Sequence, residues 1–353
     1  MTGLFTPLQI RSVEFKNRIF VSPMCQYSAH NGLVNEWHFT HAATRAVGGS
    51  ALFIVEATSV SAEGRISRGD AGIWDDMHIT PMRTLADTIT KNGAIAGIQL
   101  AHAGRKASCT RPWEGSHQLK IDKGGWETLG PSSIPFNSDD RSPQEITLTD
   151  IKTIINDFVH ATQRVLKAGF QVLEIHMAHG YLLHSFLSPV TNHRKDEFGD
   201  SFNNRIRLPM QIVEAVRDIW PDELPLFVRL SGTDYIEHGW DISQAIKFAK
   251  KLKSIGVDFI DCSSGFIASY EKVPFAPGFQ VPLASKIRHE TGLITGAVGL
   301  ITQSYQADTI VRTGQADVVL LARQLLRDPY WPLKAARELG YDLPWPPQYE
   351  RAK

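Results

Sequence analysis

The sequence has little cysteine and no excess of charge of either sign. Its three cysteines, Cys25, Cys109 and Cys262, are odd in number and far apart, so neither a disulfide framework nor a CxxC metal site is available. The 37 Lys and Arg residues are matched by 37 Asp and Glu residues. Nucleic-acid-binding proteins and polybasic membrane anchors normally carry a basic excess, so the balance predicts no nucleic-acid partner.

Long apolar runs are missing as well. No stretch approaches the roughly 20 apolar residues that a membrane-spanning helix needs, and the first ten residues lack the basic start and apolar centre of a signal peptide. We therefore expect a cytoplasmic protein with no membrane partner. Because 42% of the 353 residues are hydrophobic and 21% are charged, the chain can build a sizeable core.

Short apolar runs alternate with longer amphipathic stretches along the chain. Eight runs rich in Val, Ile and Leu predict strands at 19–22, 51–56, 94–100, 170–176, 224–230, 257–262, 293–295 and 316–321. Eight amphipathic segments predict helices near 36–47, 81–92, 149–167, 203–219, 242–254, 282–290, 302–312 and 331–338. Uninterrupted apolar strands are typical of parallel sheets that are buried on both faces. The pattern therefore predicts an α/β fold, a TIM (β/α)₈ barrel, with a doubly wound open sheet as the alternative.

The length exceeds that of a minimal barrel, and the surplus is concentrated in one place. Residues 101–147 are rich in Pro and Gly and include Trp113 and Trp126. Loops of this length are usually functional or disordered, and the two tryptophans favour an ordered one. We expect a single domain over residues 1–353, with a lid-like insertion at 101–147 after the third strand.

Polar residues follow most of the predicted strands. In a barrel these carboxyl ends meet at one rim, which is where the active site lies. The fourth strand is the most informative, because His176, His179 and Tyr181 follow closely after Glu174. One interpretation is a metal-dependent hydrolase in which these histidines and His102 hold zinc. Another is that the histidines satisfy buried backbone groups.

The other strand ends favour a different ligand. Gln99 and Arg229 are poor metal ligands, and a metal cation would repel a buried arginine. After the seventh and eighth strands, Gly299 and its neighbours, and then Ala322 and Arg323, have the character of a phosphate site: small residues followed by a guanidinium. Together with Gln99 and Arg229, these residues indicate a site for a long ligand with a phosphate at one end and a polar heterocycle at the other. Flavin mononucleotide (FMN) fits that description. A flavin storage or sensor barrel without catalytic activity is a third possibility.

The order of these motifs resembles that of the Old Yellow Enzyme family of FMN-dependent ene-reductases, and in particular its thermophilic-like or xenobiotic-reductase subgroup. The resemblance covers essentially the whole chain. Its motifs are LFTPL at 4–8, KNRI at 16–19, SPMC at 22–25, EAT at 56–58, QLAHAGR at 99–105, HMAHGYL at 176–182, the segments 188–194 and 196–205, and QYER at 348–351.

The resemblance implies a set of FMN-binding residues. They are Ser22, Pro23, Met24, Cys25, Ala57, Gln99, Arg229, Gly299, Ala322 and Arg323. Among them Cys25 would tune the redox behaviour of the flavin, Arg229 would stabilise its reduced form, and Arg323 would hold the phosphate. His38 and His41, on the first predicted helix, and the cysteines Cys109 and Cys262 are expected to have structural roles only.

The resemblance also implies the substrate site and the reaction. His176 and His179 would grip the carbonyl oxygen of an enone, enal, nitro or maleimide-type compound, with Tyr27 and Tyr181 on either side and Tyr181 as the proton donor. NADPH or NADH would supply hydride in a ping-pong cycle. Arg351, in the tail at 340–353, would enter the site of a neighbouring subunit, which implies a homodimer or homotetramer.

Overall fold

Eight parallel strands close into a barrel. The computed structural model describes residues 2–353, and the order of the barrel strands around the closed sheet is β3-β4-β5-β8-β9-β10-β11-β12. The strands in chain order are β1 (Leu8–Ile10), β2 (Val13–Phe15), β3 (Ile19–Val21), β4 (Leu52–Ser59), β5 (Ile95–Ala101), β6 (Leu129–Gly130), β7 (Gln144–Glu145), β8 (Val172–Met177), β9 (Leu226–Ser231), β10 (Phe259–Ser263), β11 (Ile294–Ala297) and β12 (Val318–Leu321). Each of the eight predicted runs contains or overlaps one barrel strand, so the TIM-barrel prediction is confirmed.

Helices surround the barrel. They are α1 (Glu36–Val47), α2 (Ile79–Lys91), α3 (Leu148–Ala168), α4 (Leu182–Leu187), α5 (Phe202–Arg205), α6 (Arg207–Arg217), α7 (Ile242–Ser254), α8 (Val281–Thr291), α9 (Ser304–Arg312), α10 (Arg323–Arg327) and α11 (Trp331–Glu338). The short helices α4 and α10 were not predicted, because neither is long enough to show a 3.6-residue period. In the described part of the chain, 2–353, no helix is both long and apolar enough to cross a bilayer.

Side chains on the barrel strands divide into two apolar layers. Residues such as Leu226 and Val228 of β9 face the helices and belong to a large outer core, whereas Phe227, between them in sequence, belongs to a separate inner core. The inner core also contains Phe20 and Phe259, and the rings of Phe227 and Phe259 are stacked with their centroids 4.2 Å apart. Successive side chains of a strand point to opposite faces, which explains the division.

A hairpin that the sequence reading missed seals the amino end of the barrel. Strands β1 and β2 are antiparallel, and Phe15 places its ring 4.8 Å from that of Phe20 inside the barrel. Ser12, between the two strands, donates both its backbone N–H and its hydroxyl to the carbonyl of Glu223, just before β9. Two strands of three residues each have too short a pattern to be recognised from sequence.

The insertion at 101–147 is held by specific hydrogen bonds, although most of residues 112–124 are exposed. It contains 3₁₀ helices and the two-residue parallel pair β6–β7. Arg105 donates to the carbonyls of Ile134 and Pro135, and the indole of Trp126 donates to the carbonyl of Glu63 at 2.8 Å. The insertion therefore lies over the carboxyl ends of neighbouring strands. Its role as a lid stays a prediction.

We predict that Phe15→Ala lowers the free energy of unfolding by about 3–5 kcal/mol, because Phe15 is fully buried and its loss opens a cavity beneath the barrel. Urea unfolding would measure the change. Leu148→Ala removes an apolar side chain that is 52% exposed and serves as the control. A Phe15 variant as stable as that control would show that the hairpin does not support the barrel.

Candidate active site

The inner face of the barrel changes from apolar to polar toward the carboxyl ends of the strands. In β9, Phe227 is followed two residues later by Arg229, and in β10, Phe259 is followed by Asp261. The strand register pairs Arg229 with both His176 of β8 and Asp261 of β10. Polar side chains from neighbouring strands therefore form one ring, on the carboxyl-end side of the aromatic core.

Arg229 lies at the centre of this ring and is 8% exposed. Its Nη1 donates to the hydroxyl of Ser22 at 3.0 Å, and its Nε lies 3.3 Å from a carboxylate oxygen of Asp261. On the other side, the amide of Gln99 donates to Glu174 at 2.8 Å. The predicted flavin-binding residues Ser22, Gln99 and Arg229 are thus close to one another, in the company of two buried carboxylates.

Those carboxylates are strongly affected by burial. Burial raises the pKa of Glu174 to about 8, with a further increase from the neighbouring charge of Asp261 and a decrease from Arg229. Burial likewise raises the pKa of Asp261, and Arg229 opposes the shift. One oxygen of Glu174, both oxygens of Asp261 and the Nε of Arg229 are buried without a partner in hydrogen-bonding geometry among the described residues, even though Nε of Arg229 lies close to Asp261. The ring therefore has hydrogen-bonding capacity that the protein itself does not use.

A cavity of about 240 Å³ runs from this ring to the ends of β11 and β12. It is lined by Ser22, His179, Arg229, Gly299, Ala322 and Arg323, among others. Gly299 has a φ of 104°, and a Cβ there would lie 2.9 Å from the side-chain oxygen of Gln280. The backbone is therefore free to approach a ligand at this end. With guanidiniums at both ends, the cavity fits a phosphate-bearing heterocycle such as FMN.

Three aromatic side chains after β8 form a compact group beside the cavity. The ring of His176 lies 5.0 Å from that of His179 and 5.1 Å from that of Tyr181, and both pairs are nearly perpendicular. The backbone N–H of Ala178 donates to Nδ1 of His176 at 3.2 Å. In a neutral His176 ring the proton is therefore on Nε2, which leaves that atom as a donor.

Burial sets the protonation of this group. It lowers the pKa of both His176 and His179 well below the usual value, and the charge of Arg229 lowers them further. Both rings are therefore neutral at neutral pH. Nε2 of His179 lies 2.6 Å from the hydroxyl of Ser263, which fixes the orientation of the ring. Burial also raises the pKa of Tyr181 well above its ordinary value, so its phenol keeps its proton.

The turn that carries these residues depends on a buried pair that sequence reasoning missed. Gly180 has a φ of 74°, and a Cβ there would clash with the carbonyl oxygen of Phe266 at 2.2 Å. The N–H of Gly180 donates to Nδ1 of His184, and Nε2 of His184 lies 2.9 Å from Asp234. Asp234 also accepts from Ser188, so a fully buried cluster holds the turn. His184 follows His179 at a spacing of five residues, but its partner lies 50 residues away, so no local pattern reveals the pair.

Lys106 is a second residue that the sequence reading missed. Its ammonium donates to the carbonyl oxygens of His179 and Phe266 and lies 5.3 Å from the ring centroid of Tyr181. Burial, together with Arg105, lowers its pKa to about 7. It therefore connects the insertion to the turn after β8.

The segment after β3 brings Pro23, Met24, Cys25 and Tyr27 to the same rim, all of them half-buried. The N–H of Gln26 donates to Glu56 at 2.8 Å. Burial, and then the charge of Glu56, raises the pKa of the Cys25 thiol, which is therefore neutral at neutral pH. Ala57 is also on this side, paired in the sheet with Gln99.

The remaining predicted residues lie elsewhere. His38 is buried in α1, 3.9 Å from Glu56, and His41 packs edge-on against Phe53, as expected of structural histidines. Cys262 faces the outer core. Arg351 is exposed in the 3₁₀ helix Pro347–Ala352 and does not line the cavity. Within residues 2–353 no three His, Cys, Asp or Glu side chains are grouped so as to hold a metal ion.

We predict that Glu174→Gln weakens the pH dependence of stability. Because the pKa of Glu174 is raised from 4.5 to about 8, the folded state holds a proton that the unfolded state loses, so stability falls as the pH rises between those values. The variant should lose less stability over this range in urea unfolding, with Glu237→Gln, 89% exposed, as the control. Parallel curves for wild type and Glu174→Gln would contradict the assignment.

Comparisons with known proteins agree with this geometry. Residues 3–341 match the model of the NADH:flavin oxidoreductase / NADH oxidase family. A NADPH dehydrogenase from Geobacillus sp. (strain WCH70) is 48% identical over 352 residues, covering 99% of this chain and 98% of the relative. A NADPH dehydrogenase from Bacillus subtilis (strain 168) is 44% identical over 350 residues, with coverage of 99% and 98%.

Solved structures are similar as well. The Old Yellow Enzyme homologue from Zymomonas mobilis superposes with a TM-score of 0.79 at 25% identity, covering 97% of this chain and 94% of that one. Morphinone reductase in complex with tetrahydroNAD gives a TM-score of 0.78 at 25% identity, with coverage of 98% and 93%. The chain therefore belongs to the NADH:flavin oxidoreductase / NADH oxidase family, as its resemblance to Old Yellow Enzymes predicted, and is an FMN-dependent NAD(P)H oxidoreductase.

Proposed function

We propose that the protein is an ene-reductase that uses NADPH to reduce the C=C bond of α,β-unsaturated carbonyl compounds and other activated alkenes by a ping-pong mechanism. The observation that carries the proposal is the group of His176, His179 and Tyr181 beside a cavity with guanidiniums at both ends. Two neutral donors and a protonated phenol are the groups that an enone needs for polarisation and protonation. Enones, enals, nitroalkenes and maleimides are the substrate classes we expect.

The flavin would be held by the residues of the ring, the rim and the cavity. These are Ser22, Pro23, Met24, Cys25, Ala57, Gln99, Arg229, Gly299, Ala322 and Arg323. When bound, FMN supplies the redox chemistry, accepting hydride from the dinucleotide and passing it to the substrate. Arg229 places a fixed positive charge in the buried ring, Gln99 offers an amide, and Arg323 neutralises phosphate at the open end.

His176 and His179 would bind the oxygen of the substrate. Nε2 of His176 is a donor because Nδ1 already accepts from the backbone, and the neutral state of both rings means that neither must lose a proton before binding. Negative charge develops on the carbonyl oxygen as hydride reaches the β carbon. In a site with little water, each well-placed donor of this kind contributes about 2.7–4 kcal/mol to stabilising the transition state.

Tyr181 would deliver the proton to the α carbon. Its raised pKa keeps the phenol protonated over the physiological range, and its ring lies against His176, next to the proposed carbonyl site. A general acid must be positioned close to the atom that it protonates, and this neighbourhood meets that need. Tyr27, at the end of the opposite loop, would flank the substrate on its other side.

The NADPH dehydrogenases among its relatives support NADPH as the hydride source for this chain. We propose the ping-pong order because the nicotinamide and the alkene would both have to lie beside the flavin in the cavity lined by His179 and Arg229, so the first would have to leave before the second could enter. We also propose that the insertion at 101–147 acts as a lid.

Arg351, exposed near the C-terminus, would complete the site of a neighbouring subunit in a homodimer or homotetramer, which fits its position away from the cavity of its own chain.

The visible spectrum tests the proposal. We expect purified protein to be yellow, to bleach when NADPH is added without oxygen, and to recover its colour when cyclohexenone is then added. A colourless protein that added FMN does not restore would refute it. Bleaching without recovery on addition of any enone would instead favour a flavin storage or sensor protein.

Tyr181→Phe separates the two half-reactions. We expect enone reduction to slow by about 10²–10⁴-fold, the range typical of general acid catalysis, because the proton donor is lost. Flavin reduction by NADPH needs no proton from Tyr181 and should remain close to the wild-type rate. Stopped-flow absorbance would follow both steps, and an equal loss in the two would contradict the role of proton donor.

A further inference from the structure

A second and larger cavity lies at the same rim of the barrel and takes no part in the site described above. Its volume is about 470 Å³, and three arginines, Arg65, Arg68 and Arg111, line it together with a single carboxylate, Glu114. The three arginines come from loops that follow β4 and β5, so the cavity opens on the carboxyl side of the barrel. Cavities of this size bind small molecules, and this one carries a positive charge.

The arginines are incompletely neutralised. Arg111 meets Glu114 at 3.4 Å, and its Nε is buried without a hydrogen-bond partner. Arg68 donates to the backbone carbonyl of Lys123 rather than to a carboxylate. Arg65 is held between the rings of Trp74 and Trp126, 5.2 Å and 5.0 Å from their centroids, and donates to the carbonyl of Ala62. Within residues 2–353, Arg65 and Arg68 therefore form no direct ion pair, although the carboxylates of Asp70 and Glu63 act on Arg65 from a greater distance.

The cavity lies beside the proposed substrate site, next to Tyr27. A Cβ built on Gly69 would lie 2.2 Å from the backbone oxygen of Tyr27 and 2.8 Å from Nε of Arg111, so these two atoms lie close together over the bare Cα of Gly69. On the outer side, Trp113 bridges the two. Its ring lies 6.1 Å from that of Tyr27 and 5.9 Å from the guanidinium of Arg111. A ligand that reaches the proposed substrate site past Tyr27 and Trp113 would therefore come close to Arg111, at one end of the arginine cavity.

We propose that this arginine cavity binds the 2′-phosphate of NADPH and gives the enzyme its preference for NADPH over NADH. This inference rests on the proposed function, because it requires the nicotinamide to enter the site beside Tyr27. The adenosine half of the dinucleotide then extends beyond the mouth, toward the insertion. A phosphate monoester carries up to two negative charges, and guanidiniums bind such a group through paired hydrogen bonds.

The decisive test is the double substitution Arg68→Gln and Arg111→Gln. We expect the KM for NADPH to rise at least tenfold, and the ratio of kcat/KM for NADPH to that for NADH to fall by at least tenfold. Arg83→Gln is the matched control: it removes one exposed arginine charge on α2, away from the cavity, and should leave the ratio unchanged. An equal rise in KM for both dinucleotides, or no rise, would overturn the proposal.

Direct binding provides a second readout that does not depend on turnover. Calorimetry on the FMN-loaded enzyme should detect adenosine 2′,5′-bisphosphate and should show at least tenfold weaker binding in the double variant. Adenosine 5′-monophosphate lacks the 2′-phosphate and should bind equally weakly to both proteins. Similar affinity of the wild type for the two nucleotides would refute a 2′-phosphate site.

Substitution of Glu114 tests the same idea in the opposite direction. Glu114→Gln removes the only carboxylate that lines the cavity among the described residues, and we expect it to lower the KM for NADPH while leaving the absorbance of the bound flavin unchanged. A higher KM would contradict the proposal. Failure of the proposed function itself would look different, because enone reduction would then be missing with dithionite-reduced enzyme too.

Discussion

The burial of Arg229 inside a closed barrel is the interaction on which the rest of the site depends. Eight strands direct every second side chain into a narrow interior, where little water can solvate a charge. The lower part of that interior is filled by Phe20, Phe227 and Phe259, so polar groups are confined to the ring above. There the positive charge of Arg229 must be compensated by other groups. Its guanidinium donates a hydrogen bond to Ser22 and forms an ion pair with Asp261, and Glu174 is nearby.

The charge of Arg229 also influences the protonation of its neighbours, on top of the larger effect of burial. It favours the ionised forms of Glu174 and Asp261, against the effect of burial, and it disfavours protonation of His176 and His179. Burial, assisted by this one buried cation, thereby keeps both histidines neutral. The same water-poor setting keeps the phenol of Tyr181 protonated. The two neutral imidazoles and the protonated phenol that the proposed reaction requires thus lie within a few ångströms of one another.

The sequence predicted what depends on local pattern. The eight strands follow from apolar runs, and most of the residues that we propose for the flavin and the substrate lie where those runs end, so both could be predicted in order along the chain. The hairpin of β1 and β2 was missed because its strands are too short, although Phe15 completes the inner core. The pair of His184 and Asp234 was missed for a different reason. Its members lie in separate loops, and only the closure of the barrel brings them within 2.9 Å.

For the same reason, the sequence predicts only part of the structure of the insertion at 101–147. Its length and tryptophans indicated an ordered segment, but what it encloses depends on contacts with the loops after β3 and β4. Lys106 reaches back to the turn after β8, while Arg111 reaches Gly69 and, through it, Tyr27. A single insertion thus touches both sides of the proposed substrate site and forms much of the wall of the arginine cavity. Under the proposed roles of the two sites, changes in this segment would alter the choice of hydride donor and the fit of the alkene together. The buried ring around Arg229 would remain as it is.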